Sequence, residues 1–506
     1  MFSKHLIFLL LLLAMGLSLP SYYFDSNSLK FILFIGIVAV WRYTWALQHF
    51  VRALLFLKVR FKALRKQANL AGELADPEHV FILVTSFRIE TDTSILVYKS
   101  AIAEAIRLNQ SVTMIASIVE PSDERLIKQI FYSFKPPERV SLKLVRIKGS
   151  GKRDGLAVGF RAISNTQVNL KNAVVAVVDG DSILTENCIK QCYRFFSLNP
   201  KLGALTTNET CELTNTSQTM GLYRRWYNLR FAQRHEFMSS VALSNRVMTL
   251  TGRMSMFRGE IVGNPEFIDR VEFDYIDHWR LGRFRFLTGD DKSSWFQVLK
   301  DGWEMLYVPD VKVITIEQPP HKNFVKGATL LMARWFGNML RANTCARALP
   351  MQTMGVYVWW LLRDQLISIW TSLFGLVLAI MGGLYYGDNL FFAFMFWIML
   401  TRYLISALLS TLHGQFSLSW PFLLYFNQIY GSMVKVFVFS HMYRQVWTRQ
   451  KTSLKLSKKP FEALFRTFGS NLSLVGSVSI FLTLLAFIAG IFTQHDISAF
   501  VNYYFY

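Results

Sequence analysis

The most informative segment of the chain reads Ala173-Val-Val-Ala-Val-Val178 and runs directly into Asp179-Gly-Asp181-Ser182. Such a continuous apolar run, rich in valine, is typical of a strand buried on both faces. The two carboxylates follow where that strand ends, and the glycine between them lets the chain turn. Carboxylates at this spacing can share a hard divalent cation that bridges a diphosphate. An Asx turn that closes a strand is the alternative interpretation of the same pattern.

Similar apolar runs upstream predict two more buried strands, at 79–85 and 112–119. Helix-like stretches separate the runs, and this order implies a mostly parallel sheet covered on both faces. Ligands of such sheets bind in the crevice at the carboxyl ends of the strands. Glu120 and Asp123, which follow the second run, are therefore candidate substrate-binding residues together with Asp179.

A glycine-rich basic segment, Gly149-Ser-Gly-Lys152-Arg153-Asp154, follows a strand-like run at 141–147. Lys152 offers a point charge and Arg153 a planar fork, and both suit phosphate oxygens. The glycine spacing is not that of a P-loop. A solvated basic loop is the alternative to a phosphate-binding segment.

A pair of adjacent carboxylates occurs in Thr288-Gly-Asp290-Asp291-Lys292, before a strand-like run at 305–308. Adjacent like charges raise the proton affinity of one member when the pair is partly buried. A carboxylate prepared in this way can act as a general base, so Asp291 and Asp290 are the candidate catalytic residues.

A fourth motif, Arg334-Trp335, lies in an amphipathic stretch at 324–341 that leads to apolar sequence. An indole beside a guanidinium can stack on a ring while the cation holds a phosphate or a carboxylate. Taken alone, however, this dipeptide is more typical of an interfacial helix anchor.

The composition indicates a membrane protein with a basic soluble domain. Of the 506 residues 52% are hydrophobic and 18% charged, whereas soluble domains carry about 25% charged residues. The net charge of +21 excludes a chain made only of buried spans. This charge suits lipid headgroups, phosphate-bearing substrates or a polyanionic product. The basic clusters adjoin predicted spans, where the positive-inside rule explains them, so we expect no nucleic-acid partner.

Hydrophobic length predicts three parts in the chain. They are an N-terminal transmembrane hairpin at 1–57, a cytosolic domain at 58–345 that ends in interfacial helices, and C-terminal transmembrane and interfacial helices at 346–506. A basic cytosolic loop is expected near 441–470. If the segment 415–440 is interfacial or re-entrant, the chain has five spans, and six is the alternative. A cleaved signal peptide is the alternative for the first apolar run.

One cation, Arg402, lies within an otherwise apolar predicted span at 391–412. Charges inside the bilayer are costly enough to suggest a function, and a polyanionic product needs cationic lining along its path. Pairing of Arg402 with a headgroup or with another helix is the alternative.

Taken in this order, the motifs resemble those of the processive, membrane-integrated family 2 glycosyltransferases, the group of the cellulose, chitin and hyaluronan synthases. The likeness covers roughly residues 30 to 440. The resemblance assigns metal and nucleotide binding to Asp179 and Asp181, and the role of general base to Asp291. It matches residues 151–154 to the G-K-R-[DE] element, and it implies acceptor-side contacts for Gly252 and Arg253 in the segment from 251 to 258. Arg334 and Trp335 match the end of a Q-x-x-R-W motif. Leu331 stands where that last motif has glutamine.

The resemblance implies an α/β nucleotide-sugar-binding domain of GT-A type, with a mostly parallel sheet, embedded in an α-helical multi-span membrane domain. It also implies a Mg²⁺ or Mn²⁺ cofactor and inverting, processive transfer from a nucleotide sugar donor. The catalytic domain would face the cytoplasm at the bacterial inner membrane. Within the group, the overall appearance is nearest to the members that make mannuronan, the polymer of alginate, from GDP-mannuronate.

The same resemblance implies several partners. They are the lipid bilayer, a growing anionic polysaccharide, a regulatory membrane subunit that senses a cyclic dinucleotide and a periplasmic export complex. Three alternatives stay open at this point. They are transfer of one sugar to a lipid carrier, synthesis of another polysaccharide such as hyaluronan or cellulose, and a transporter whose cytosolic domain only binds nucleotide.

Overall fold

The computed structural model describes residues 2–21, 29–148, 151–214, 218–386, 389–447, 452–453, 460–491 and 498. The chain divides into two compact units. The helical unit comprises Met1–Gln48, Asp364–Met442 and Lys455–Tyr506, and the sheet unit comprises His49–Arg363 and Tyr443–Leu454. Positions 149 and 150 of the predicted glycine-rich segment lie outside the described residues. The same holds for two parts of the predicted basic loop, 448–451 and 454–459.

The sheet unit is built on one eight-stranded sheet. Its strands are β1 His79–Thr85, β2 Ser111–Ile118, β3 Val140–Arg146, β4 Ala173–Asp179, β5 Ser182–Leu184, β6 Leu202–Leu213, β7 Met254–Arg258 and β10 Glu304–Glu317. Two small antiparallel pairs join β8 Tyr275–His278 to β9 Gly282–Arg285 and β11 Val446–Trp447 to β12 Thr452–Ser453.

The strand order in the large sheet is β3-β2-β1-β4-β7-β6-β10-β5. The pairs β4/β7, β6/β7 and β5/β10 are antiparallel, and the other neighbours are parallel. Only β5 and β7 therefore run against the other strands, and the predicted α/β fold with a mostly parallel sheet is confirmed. The two early strands predicted from apolar runs, at 79–85 and 112–119, appear as β1 and β2, with a shift of one residue in β2.

The helices are numbered in chain order. They are α1 Phe2–Leu17, α2 Leu29–Leu55, α3 Phe61–Ala71, α4 Thr91–Arg107, α5 Pro121–Ser133, α6 Lys152–Ser164, α7 Lys190–Leu198, α8 Gln218–Ala242, α9 Gly259–Val262, α10 Pro265–Glu272, α11 Asp290–Lys300, α12 Phe324–Arg347, α13 Met351–Met354, α14 Val356–Tyr386, α15 Asn389–His413, α16 Trp420–Ser440 and α17 Pro460–Ile488. A π-helical turn, Phe56–Arg60, links α2 to α3.

Buried valines explain why the central strands form. In β4, residues Ala173 to Val178 are all buried, as expected for a strand with helices on both faces. Branching at Cβ restricts the side-chain rotamers of valine and favours the extended backbone. In the parallel register of β1 and β4, Thr85 pairs with Asp179. The last residues of two central strands therefore lie side by side at one edge of the sheet.

Four helices in the described residues are long and apolar enough to cross a membrane: Val356–Tyr385, Asn389–His413, Trp420–Ser440 and Phe461–Ile488. The segment 415–440 was predicted as interfacial or re-entrant. From Trp420 it is one unbroken helix, so its shape does not show the break expected of a re-entrant segment. The helix α17 begins at Pro460, within the range predicted for the basic loop, and the cytosolic position of that loop stays a prediction. The number of spans stays a prediction.

Arg402 in α15 has a protein partner inside the helical unit. Its guanidinium donates a hydrogen bond to Oε1 of Gln428 in α16, and Nε2 of Gln428 donates to the carbonyl oxygen of Ser372 at 3.1 Å. This contact is the helix-to-helix pairing that sequence reasoning left open as the alternative for Arg402. A contact of this cation with the polymer stays a prediction.

Candidate active site

A pocket of about 400 Å³ opens at the carboxyl ends of β1 and β4, within the sheet unit. A volume of this size is typical of sites for small molecules. Most of the residues predicted from sequence line it: Lys152, Asp179, Asp181, Gly252, Arg253, Asp290, Asp291, Arg334 and Trp335. These residues come from positions 152 to 335 of the chain, and the fold brings them to one place.

Lys152, the first residue of α6, joins two of the predicted motifs. Its Nζ lies 2.5 Å from Oδ1 of Asp179 and 2.9 Å from Oδ2 of Asp290. Burial alone would lower the pKa of Lys152, but these two carboxylates outweigh it and raise the pKa above its ordinary value. The ammonium is therefore firmly charged at neutral pH and holds the end of β4 against the start of α11.

The carboxyl of Asp179 lies in an unusual electrostatic environment. Burial raises its pKa to about 6, the Lys152 ammonium opposes this, and the nearby Asp181 and Asp290 carboxylates add to the rise. Gly180 between the two aspartates lies close to β1, where an added Cβ would stand only 2.7 Å from the carbonyl oxygen of Thr85. Glycine is therefore required for the tight turn that presents both carboxylates to the pocket.

The adjacent carboxyl groups of Asp290 and Asp291 differ in their environments. Burial would raise the pKa of Asp290, but the Lys152 and Arg153 cations outweigh it and hold that pKa below its ordinary value. For Asp291, burial and the Asp290 charge raise the pKa, and Thr249 Oγ1 donates a hydrogen bond to its Oδ2 at 3.2 Å. Asp291 thus has the higher proton affinity of the pair, which is what a general base needs.

Arg153 does not line this pocket, contrary to the prediction of a phosphate contact. Its side chain is 4% exposed, and its guanidinium donates to the carbonyl oxygens of Val271 and Thr288 at 2.7 and 3.0 Å. Further hydrogen bonds go to Oγ of Ser293. Neighbouring residues of a helix point about 100° apart, so Lys152 and Arg153 cannot both face the pocket. Arg153 instead stabilises the loop before α11 through its hydrogen bond to the carbonyl oxygen of Thr288.

Glu120 and Asp123 also lie outside the pocket lining. Glu120 pairs with Arg88, whose Nε lies 3.7 Å from its Oε1, and both side chains are largely exposed. The two acids follow β2, which is separated from β4 by β1 in the sheet. The sequence placed them at the correct edge of the sheet but could not tell how far along that edge they lie.

The pocket is also lined by the remaining predicted residues, Arg253, Arg334 and Trp335, and by Leu331. The Arg253 guanidinium bonds to Oε2 of Glu209 and to Oε1 of Glu317, each at 2.8 Å. Leu331 contributes an apolar side chain where the resembling family has glutamine. Arg253 is therefore held by protein carboxylates, whereas the indole of Trp335 borders the cavity.

Sequence reasoning missed several residues of the pocket. They are Thr85, Phe87, Ile89, Glu317, Gln318, Pro319, Pro320 and Asn338. Two signals could have found some of them. Thr85 ends a predicted strand next to the strand of the paired aspartates, and a double proline directly after a long strand marks a loop at its carboxyl end.

Two solved structures show a distant likeness. The mannosyltransferase PcManGT from Pyrobaculum calidifontis, in complex with GDP-Man and Mn²⁺, aligns with a TM-score of 0.40 and 12% identity over 76% of this chain and 98% of its own. Glucosyl-3-phosphoglycerate synthase from Mycobacterium tuberculosis aligns with a TM-score of 0.31 and 10% identity over 52% of this chain and 80% of its own. Likeness at this level carries no argument about substrate or metal.

The sequence comparisons are much stronger. The family described as glycosyltransferase like family 2 matches residues 77–338, which contain all the residues that line the pocket. Two relatives named glycosyltransferase alg8, from Pseudomonas syringae pv. tomato and from Azotobacter vinelandii, are each 45% identical over 480 residues. Each alignment covers 95% of this chain and 96% of the relative. The chain therefore belongs to glycosyltransferase family 2 and is a glycosyltransferase.

Proposed function

We propose that this glycosyltransferase is a processive, inverting enzyme that polymerises GDP-mannuronate into β-1,4-mannuronan and passes the polymer across the inner membrane. The proposal rests on one pocket that contains the Asp179 and Asp181 carboxylates and Lys152, whose ammonium pairs with Asp179. The same pocket contains Asp291, whose pKa is raised. The similarity over 95% of the chain to the two alg8 glycosyltransferases supports the polymer and the donor, since alginate contains mannuronate.

The donor diphosphate would lie at the end of β4, near Lys152, Asp179 and Asp181. A lysine is a suitable point charge for phosphate oxygens. Lys152 pairs with two carboxylates in this structure, and a bound diphosphate would compete with them for the same ammonium. Donor binding is therefore expected to loosen the contact between β4 and α11 at the moment when the site fills.

The residues present fit a divalent cation that is held jointly by protein and donor. The described residues contain no group of three or more His, Cys, Asp or Glu side chains that could hold a metal ion alone. Mg²⁺ and Mn²⁺ at phosphate sites commonly take one or two carboxylates together with phosphate oxygens. Asp181 and Asp179 would supply the carboxylates. The cation, Mg²⁺ or Mn²⁺, would neutralise the charge that develops on the leaving diphosphate.

The acceptor hydroxyl would lie next to Asp291. As its oxygen forms a bond to the anomeric carbon, the bond from that carbon to the diphosphate oxygen breaks, and GDP leaves with the bonding electron pair. Asp291 takes the hydroxyl proton. Because a single displacement attacks the face opposite the leaving group, the configuration at the anomeric carbon is inverted, as in inverting glycosidases. The hydrogen bond from Thr249 orients the carboxylate for this step.

The function is tested by the turnover of the purified full chain in detergent against a panel of nucleotide sugars, with the product size measured. Turnover of GDP-mannuronate to a long polymer is the expected result. Single-sugar products would favour transfer to a lipid carrier, and turnover of a UDP-sugar would favour another polysaccharide such as hyaluronan or cellulose. Membership of a glycosyltransferase family already favours an enzyme over a nucleotide-regulated transporter.

Gly252→Ala should weaken GDP binding about tenfold. An added Cβ would stand 2.7 Å from Oδ2 of Asp179 and 2.7 Å from Nζ of Lys152, so the pair must shift. The shift itself is cheap because only side-chain ends move, but the displaced ammonium would meet the phosphate oxygens in poorer geometry. Loss of one hydrogen bond to a charged group, about 1.5 kcal/mol, corresponds to about tenfold in affinity. Titration of GDP onto the purified variant measures the loss. Gly221→Ala is the matched control, because its Cβ would meet nothing within 4 Å. Unchanged binding would place the diphosphate away from Lys152 and Asp179.

The export half of the proposal concerns the helical unit and Arg402. A guanidinium inside the membrane can act as a stepping site for a chain of carboxylates, provided that it binds each carboxylate loosely enough to release it. Four helices in the described residues are long and apolar enough to cross the membrane. We further propose that the catalytic domain lies in the cytoplasm. The proposed partners are a regulatory membrane subunit that senses a cyclic dinucleotide and a periplasmic export complex.

Arg402→Leu should shorten the polymer while single transfer onto a short acceptor in detergent persists, because the variant removes the charge and leaves the pocket intact. Arg402→Lys should do less harm, since it keeps the charge. Product length on sized gels is the measurement. Gln428→Leu is the control that removes only the observed partner of Arg402. If Gln428→Leu shortens the polymer as much as Arg402→Leu, the pair serves helix packing and the stepping role is lost.

A further inference from the structure

Arg230 in α8 lies against the tryptophan of the fourth motif. Its Cζ is 4.1 Å from the ring centroid of Trp335 and 5.3 Å from that of Trp226. The two indoles stack on each other, with centroids 5.6 Å apart and planes 28° apart. Because Trp335 lines the pocket, Arg230 lies one ring away from the cavity in which the transfer takes place.

Among the described residues, the Arg230 guanidinium makes cation–π contacts with these two rings. The side chain is half-buried, and no carboxylate lies within ion-pair distance of it among the described residues. Burial, together with the nearby positive charge of Arg253, lowers its pKa to about 10, although the Glu209 carboxylate, beyond ion-pair distance, and Tyr227 oppose this shift. Removal of a cation from water is costly unless an anion compensates, and cation–π contact compensates only in part.

The charges around Arg230 do not balance. Arg234 and Arg253 both pair with Glu209, at 2.9 and 2.8 Å, and Arg253 also pairs with Glu317. At ion-pair distance, Arg230, Arg234 and Arg253 therefore have two carboxylates between three guanidinium groups, and the Asp181 carboxylate adds a longer-range attraction on Arg253. The cluster is one carboxylate short, on the side of the pocket where Arg253 and Glu317 form the lining.

We propose that Arg230 binds the carboxylate of a uronic acid residue in the acceptor chain, and so selects an anionic acceptor over a neutral one. The inference rests on the proposed function, which gives each acceptor residue one carboxylate. Arginine presents a planar fork that matches a carboxylate with two parallel hydrogen bonds. The incoming group would supply the carboxylate that the cluster lacks. A neutral sugar would leave the guanidinium without an anion.

The preference would have a clear kinetic form. Hydrogen bonds to charged groups contribute about 1.5–3 kcal/mol, which corresponds to about 10- to 100-fold in the KM for the acceptor. The loss would appear only with acceptors that carry carboxylates. A residue that merely held Trp335 in place would instead affect anionic and neutral acceptors alike.

The test compares Arg230→Gln with wild type in the purified full chain, with GDP-mannuronate as donor. One acceptor is oligomannuronate, and the other is the same oligosaccharide with its carboxyl groups reduced to alcohols. We expect KM for the anionic acceptor to rise about 10- to 100-fold, with kcat and the KM for the neutral acceptor nearly unchanged. Arg225→Gln, an exposed arginine of the same helix, is the matched control and should behave as wild type.

Arg230→Lys provides a second variant, because it keeps a cation over the indoles and loses only the fork. It should raise KM for the anionic acceptor by less than Arg230→Gln does. Equal increases for both acceptors in either variant would overturn the inference and leave the proposed function intact. If the wild-type chain does not extend oligomannuronate from GDP-mannuronate, the proposed function and this inference fall together.

Discussion

Asp291→Asn should lower the rate of glycosyl transfer at least about 100-fold and leave GDP binding near the wild-type value. Asparagine keeps the shape of the side chain but cannot accept the proton of the attacking hydroxyl. The carboxylate acts in the transition state, whereas the donor is held in the ground state by other groups of the pocket. Loss in kcat with an unchanged dissociation constant for GDP is therefore the expected signature.

Release of GDP from the donor measures transfer, and titration of GDP onto the same preparation measures binding. Asp301→Asn is the matched control, because Asp301 is exposed at the end of the same helix, α11. The control should retain full activity. Equal loss of binding and of turnover in Asp291→Asn would instead assign Asp291 to the donor diphosphate, and the base would have to be sought elsewhere in the pocket.

Asp181→Ala should abolish the dependence of GDP binding on a divalent cation and weaken binding by about 10- to 100-fold. A hard cation that bridges a diphosphate has few substitutes for a carboxylate ligand. Substitution of residues that support a bound metal ion typically costs about 10- to 100-fold in metal affinity. Transfer should fall with binding, because the leaving diphosphate is no longer neutralised.

The measurement is GDP titration with and without Mg²⁺ or Mn²⁺, in wild type and in the variant. Wild type should bind more tightly with the cation, and Asp181→Ala should show the same weak binding in both conditions. Glu186→Ala, at an exposed acid after β5, is the control. Transfer that survives both this substitution and a chelator would remove the metal from the mechanism.

The sequence by itself indicated five of the eight strands of the large sheet, the parallel direction of the early strands and the edge at which the pocket lies. Patterns such as Ala173 to Val178 are local: a valine-rich run forms a buried strand wherever the chain places it. Parallel strands end at the same edge, so the acids that follow them were correctly assigned to one side of the sheet. The paired carboxylates and Lys152 were found for this reason, since each lies next to the end of a strand or the start of a helix.

The tertiary structure alone decided which residues meet. Lys152 and Arg153 are neighbours in sequence, yet one faces the pocket and the other is buried beneath it, because adjacent helical residues point in different directions. The stack of Arg230 on Trp335 joins residues that are far apart in the chain. Which cation lacks a carboxylate depends on how Glu209 and Glu317 are shared among their neighbours. Such charge balance is a property of packed side chains in three dimensions, so no local pattern in the sequence encodes it.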